Sequence, residues 1–205
     1  MSSKWSLRRV LRLARLRRMN ITVLAKKGGV GKSTLSLLLY EAFRQAGKSA
    51  AIRDWDAQGT SSKAMELISG SGVPVKATTT EILIYDTPPN LEHNATATAV
   101  RAGDIVLVVT SPSPADIWEA DEAVRFAKAK NPTAKIRVIF NKVRKATVLG
   151  RLVDESAKQL SVPVLSATLS ARECYQHAVA SGWKALDSAA RQEILQVIVA
   201  LLSQP

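Results

Sequence analysis

The sequence predicts an α/β fold, a doubly wound, mostly parallel sheet flanked by helices. Three observations lead there. Short apolar runs recur along the chain with longer helical patterns between them. Several of these runs, such as "IVLVVT", are continuous and β-branched instead of alternating, as expected for strands buried on both faces. The 205 residues, 46% of them hydrophobic, suffice for one domain with a sizeable core.

The expected strands are 20–25 "NITVLA", 49–53 "SAAIR", 81–85 "EILIY", 105–110 "IVLVVT", 136–140 "IRVIF" and 163–166 "VPVL". Helical patterns fill 32–46, 60–69, 92–101, 114–130, 147–160, 171–181 and 187–202. The segment 69–80, "SGSGVPVKATTT", is rich in Gly, Ser and Thr and reads as a loop. The last pattern, "RQEILQVIVALLSQP", has Arg191 as its only basic residue and reads as a packing helix. No repeat or low-complexity linker interrupts the chain. The division is a basic N-terminal extension, 1–18, followed by one domain, 19–205.

Composition narrows the function classes. Aromatics make up 5% of the chain, so the core is expected to be Ala, Val, Leu and Ile. No stretch reaches the ~18 uninterrupted apolar residues of a spanning helix, and the start lacks the apolar core and cleavage site of a secretory leader. A single cysteine, Cys174, excludes an internal disulfide framework and a multi-cysteine metal site within one chain. A cytoplasmic setting is expected.

The net charge of +12 is concentrated in two zones. Residues 1–18 carry Lys4, Arg8, Arg9, Arg12, Arg15, Arg17 and Arg18 and no acid. Between Glu122 and Asp154 lie Arg125, Lys128, Lys130, Lys135, Arg137, Lys142, Arg144, Lys145 and Arg151, again without an acid. Either zone suits a polyanionic partner. For the second, a solvated surface accounts for the run equally well.

In open α/β sheets, ligands bind beyond the carboxyl ends of the strands. After the first strand comes "KKGGVGKST", Lys26 to Thr34. Gly28, Gly29 and Gly31 let the backbone curl with its N–H groups inward, where a Cβ would obstruct phosphates. Lys32 can reach the terminal phosphates and the Ser33 hydroxyl can ligate Mg²⁺. The helix that follows aims its N-terminus at the anion. After the second strand comes "DWDAQG", Asp54 to Gly59, and after the third "DTPPN", Asp86 to Asn90. An apolar strand ending in Asp beside a phosphate loop is a usual means of holding Mg²⁺, which suits Asp86. Asp54 and Asp56 point the same way off an extended chain, toward a nucleotide or into capping and turn contacts.

"KGGVGKST" resembles the deviant Walker A motif of the ParA/MinD superfamily of P-loop ATPases, in which a signature lysine opens the loop. "DWDAQG" is similar to that family's D-x-D-P-Q-G element and "ILIYDTPPN" to its Walker B strand. "VTSPSPADIWEADEAV", "FNKVRKATVLGRLVDES" and "LSARECYQHAVASG" resemble small ParF-type members of the ParA group, so the likeness covers about 19–202. The resemblance implies ATP and Mg²⁺ as cofactors. Lys27 would be the signature lysine, reaching across an ATP-bound homodimer to the partner's phosphates. Lys32 would bind the β- and γ-phosphates, with Gly28, Gly29, Val30 and Gly31 supplying backbone donors and Thr34 touching the α-phosphate. Ser33 would ligate Mg²⁺, with Asp54 and Asp86 supporting its shell. Asp56 would position the attacking water. Asn141 matches a position that contacts adenine in relatives, while a strand-terminal turn accounts for an Asn there equally. Ala57 departs from the family's proline.

The resemblance further implies slow, partner-stimulated hydrolysis in plasmid or chromosome partition. Mg·ATP would drive dimerisation or polymerisation, nonspecific DNA would be bound in a nucleoid-associated state, and a ParB-like centromere-binding protein would trigger release. The alternatives are a MinD-like membrane-associated positioning ATPase and a protein-cargo positioning ATPase. The extension, with Trp5, Leu7, Val10 and Leu11 among its arginines, forms an amphipathic helix for membrane or DNA or stays disordered until bound, or translation starts at Met19; a membrane role is the less favoured. Cys174, Trp55, Trp118 and Trp183 read as packing residues. His93 and His177 take no role.

Overall fold

The computed structural model describes residues 18–56, 58–69 and 80–203. The extension up to residue 17, Ala57 and most of the 69–80 loop lie outside the described residues. Strands β1 (Met19–Leu24), β2 (Ala50–Asp54), β3 (Ile82–Asp86), β4 (Ile105–Thr110) and β5 (Lys135–Phe140) form one sheet in the order β2-β3-β1-β4-β5, with every pairing parallel. The helices are α1 (Lys32–Gln45), α2 (Thr60–Ser69), α3 (Asn94–Ala102), α4 (Pro114–Lys130), α5 (Val148–Arg151), α6 (Val153–Ala157), α7 (Glu173–Ser181) and α8 (Ser188–Ser203), with a 3₁₀ turn, Gly182–Ala185, between the last two.

The continuous apolar strands divide their side chains between two cores. Ile21 and Val23 of β1, Ile82 and Ile84 of β3 and Leu107 of β4 face a core built with α1 and α8. Leu24, Val106, Val108 and Val138 face the other way, against Ala120, Ala123, Val124 and Ala127 of α4. Small residues along α4 let the helix approach β4 and β5 closely. A one-residue register slip would exchange these faces, so burial on both sides fixes the pairing.

Two expected elements differ. The sixth strand, 163–166, contributes an isolated bridge, Val138 to Val164. Leu165 donates to Val138 O, but Pro163 has no N–H to extend the ladder. The helix expected over 147–160 is the pair α5 and α6, broken at Leu152. Breaking there lets Val153 and Ala157 pack against Ile117, Phe140 and Val143, while Val148, Leu149 and Leu152 stay exposed. Trp118, expected to pack, is 68% exposed on α4, because its neighbour Ile117 takes the inward position. Trp55 and Trp183 pack against the cores as expected.

One polar network ties α7 and the segment before it to α8. Glu193 of α8 accepts from Ser170 N (3.0 Å) and Oγ (2.8 Å), Arg172 Nη2 (2.8 Å) and Tyr175 Oη (2.8 Å). Burial pushes the Glu193 carboxyl up, but hydrogen bonds from Arg172, Ser170 and Tyr175 outweigh it and hold the group at about 2. A depressed carboxylate adds stability that is complete above the unfolded value near 4.5 and is lost as pH falls through about 2. Glu193→Gln should therefore cost roughly 2 kcal/mol at neutral pH, the scale of charged hydrogen bonds. It should also flatten the acid limb of the stability curve between about 4.5 and 2, as measured by urea denaturation across pH.

Candidate nucleotide site

Strand β1 lies between β3 and β4, so the chain reverses its winding direction there and opens a crevice at the strands' carboxyl ends. The loop from Ala25 to Gly31 fills that crevice. Gly29 (φ 77°) and Gly31 (φ 95°) are left-handed, a conformation that side chains resist. Among the described residues a Cβ on Gly29 would meet nothing within 4 Å, and one on Gly28 would touch only Pro89 at 3.8 Å. The loop therefore has open space in front of it. Behind it the packing is tight: a Cβ on Gly31 would overlap the Asn141 amide. Gly31→Ala should combine backbone strain of about 1–3 kcal/mol with that overlap. Thermal melting should fall and ATP binding should be lost with it.

Helix α1 begins at the loop's end with no side-chain cap and no acid in its first turn, leaving its N-terminal N–H groups for an anion. Lys32 sits at the mouth of that helix. Only 6% of it is exposed, and its ammonium makes a long 3.4 Å approach to the Lys27 carbonyl. Burial lowers its pKa, while the charges of Asp86 and Asp56 oppose the shift. Among the described residues it forms no ion pair within 4 Å, and Asp86 and Asp56 are the charges that act on it.

Asp86 ends β3 directly beside Val23 of β1. It is fully buried. Its Oδ2 accepts from Ser61 Oγ at 2.7 Å, while Oδ1 is buried without a hydrogen bond among the described residues. Burial raises its pKa; the Ser61 and Ser33 hydroxyls and Lys32 act against that, and Asp54 adds to it. An orphaned carboxylate oxygen beside a serine hydroxyl suits a hard divalent cation. Among the described residues no group of three or more His, Cys, Asp or Glu could hold a metal by itself. Mg²⁺ takes one or two protein oxygens together with substrate phosphates.

The second-strand aspartates sit at the rim. Asp54 accepts from Asp56 N and Ser62 N, both at 3.0 Å, and Asp56 accepts from Gln58 N at 3.0 Å. These are the turn and capping contacts open to them from sequence; each aspartate is part-exposed at the crevice. Asn141 is buried behind the loop and donates from Nδ2 to Val30 O at 2.8 Å. Its neighbour Lys142, left-handed at φ 57°, donates from Nζ to Gly29 O at 2.6 Å. The two brace the phosphate loop from β5.

Lys27 pairs with an acid of its own chain. Its Nζ lies 2.8 Å from Asp116 Oδ1 at the start of α4, and Asp116 Oδ2 accepts from Ser111 Oγ at 2.5 Å. Burial pushes Asp116 up, but Lys27 and Ser111 outweigh it and keep the carboxylate charged. Lys26 pairs with Glu122 at 2.7 Å on the same helix.

Residues 21–184 match the CobQ/CobB/MinD/ParA nucleotide binding domain. The chain belongs to that family. It is a ParA/MinD-type ATPase domain, and its fold agrees with solved members. The septum site-determining protein MinD from Pyrococcus horikoshii OT3, solved with Mg-ADP, superposes with a TM-score of 0.73 at 14% identity, over 90% of this chain and 95% of that one. In sequence the chain is similar to a maintenance of carboxysome distribution protein A from Halothiobacillus neapolitanus, 24% identical over 80% of this chain and 85% of that protein. The protein of the same name from Gloeobacter kilaueensis is 26% identical over 79% and 81%.

The matched residues 21–184 contain the loop, the two lysines and the three aspartates. Sequence reading missed Ser61, Ser111, Asp116 and Lys142. Asp116 was legible only as an acid in a helix's first turn, where the helix dipole alone suffices to favour it. The basic zone after Glu122 is also less uniform than it reads, since Arg137 is buried and hydrogen-bonded to Ile136 O.

Proposed function

We propose that this ParA/MinD ATPase is a nucleotide-dependent positioning switch whose cargo is a protein assembly. The observation that carries the switch is Lys27, at the signature-lysine position, half exposed and paired with Asp116 of its own chain, from which a second copy can draw it. Lys32 and the α1 N-terminus bind the β- and γ-phosphates; Ser33 and Asp86 hold Mg²⁺, with Asp54 supporting its shell. Mg²⁺, when bound, neutralises charge on the transferring phosphoryl group. Asp56 turns from its Gln58 contact to orient the water, and Lys27 leaves Asp116 to complete the partner's site. Hydrolysis therefore requires the homodimer. Asn141 keeps one amide N–H for adenine while the other holds Val30.

The cargo reading is supported by the carboxysome-distribution relatives, and it takes the place of plasmid or chromosome partition as the leading function. The exposed basic side chains around Arg144, Lys145 and Arg151 supply sequence-independent affinity for DNA as a track. Nonspecific DNA binding by the full chain should appear with ATP, be absent with ADP and weaken steeply with salt. ATP-dependent binding to anionic liposomes in place of DNA would contradict it and favour the membrane alternative. In the host, deleting the gene should misplace a protein body while replicons are inherited normally. Replicon loss would restore the partition reading with its ParB-like partner.

A further inference from the structure

We propose that Ser61 is a positioning residue that aims the Asp86 carboxylate at the divalent cation and ties the cation to the start of α2. The proposal rests on the Mg·ATP reading of the site. Ser61 is 1% exposed and Asp86 is fully buried, so their 2.7 Å hydrogen bond is shielded from water. A carboxylate at the end of a strand can rotate about its last torsion and offer either oxygen. Ser61 fixes that choice: it occupies Oδ2 and leaves Oδ1, buried and without a hydrogen bond among the described residues, as the oxygen free for a cation. An orienting partner of this kind holds a ligand in the geometry the metal requires.

The same serine links two parts of the site. The next residue, Ser62, donates its backbone N–H to Asp54 Oδ2 at 3.0 Å. Asp54 in turn takes the Asp56 N–H at 3.0 Å. The start of α2 is thereby stapled to the ends of β2 and β3 at once. Asp86, which would hold the cation, is thus tied to α2 through Ser61, and α2 is tied through Asp54 to the turn that carries Asp56. Ser61 touches no substrate; it acts through Asp86.

The test is nucleotide binding by the full chain, using a fluorescent ATP analogue first in metal-free buffer and then during Mg²⁺ titration. Ser61→Ala should leave the metal-free affinity within about twofold and raise the Mg²⁺ concentration at half-effect about tenfold, the lower end of losses seen for orienting partners of metal ligands. Ser61→Thr, which keeps the hydroxyl, should restore the wild-type value. Should circular dichroism show that Ser61→Ala fails to fold, the near-isosteric Ser61→Cys carries the same expectation with a smaller shift. An unchanged Mg²⁺ requirement in the folded variant overturns the proposal. So does an equal loss with and without Mg²⁺, which marks a structural role. A wild-type protein that binds the analogue no better with Mg²⁺ than without overturns the cation site itself, a failure distinguishable because it needs no variant.

Discussion

Lys32→Ala should abolish ATP binding at micromolar concentrations while leaving the protein folded. Lys32 is a buried ammonium that feels the charges of Asp86 and Asp56 but forms no ion pair among the described residues. In the proposed function the nucleotide phosphates pair with this ammonium. Removing one member of a buried charge pair costs about 2–5 kcal/mol, or about 30- to 4,000-fold in affinity. Losing the lysine also removes its desolvation cost, so the melting temperature without nucleotide should hold or rise. Isothermal titration with ATP and a melting curve separate the two effects. Retained micromolar affinity would remove the phosphate-loop role.

Asp56→Ala should give the opposite pattern: ATP binds, the dimer forms, and turnover stalls. The Asp56 side chain accepts a turn hydrogen bond from Gln58 N, so its loss disturbs a local contact and no buried charge pair. In the proposed function its role lies in the hydrolytic step, where a positioned carboxylate contributes about 100- to 10,000-fold. Single-turnover hydrolysis should fall by that order with the ATP-bound dimer trapped. Normal turnover would strip Asp56 of the role.

The fold was legible because burial on both faces leaves a plain mark on strands such as Ile105–Thr110, and because three glycines leading into Lys32 at the head of a helix point to a phosphate loop. The α5–α6 break was not legible, since it depends on where Ile117 and Phe140 lie in space. The site divides the same way. Motif residues announce themselves through special backbone needs or charge, as Gly31 and Asp86 do. Ser61, Asp116 and Lys142 act through partners distant in sequence, and no local pattern marks a serine that meets an aspartate 25 positions away. Asn141, read from sequence as an adenine contact or a strand-terminal turn residue, accepts from Lys142 N and also braces Val30, a contact 111 positions away that no local pattern marks.

The most direct measurement is the molar mass of the full chain by light scattering, with ADP and with Mg·ATP, for the wild type and for Lys27→Ala. A monomer with ADP that doubles in mass with Mg·ATP, together with a Lys27→Ala variant that binds ATP but does not hydrolyse it, is the predicted result. ATP binding with no change in mass, or full hydrolysis by Lys27→Ala, would contradict a switch built on a lysine lent between two copies.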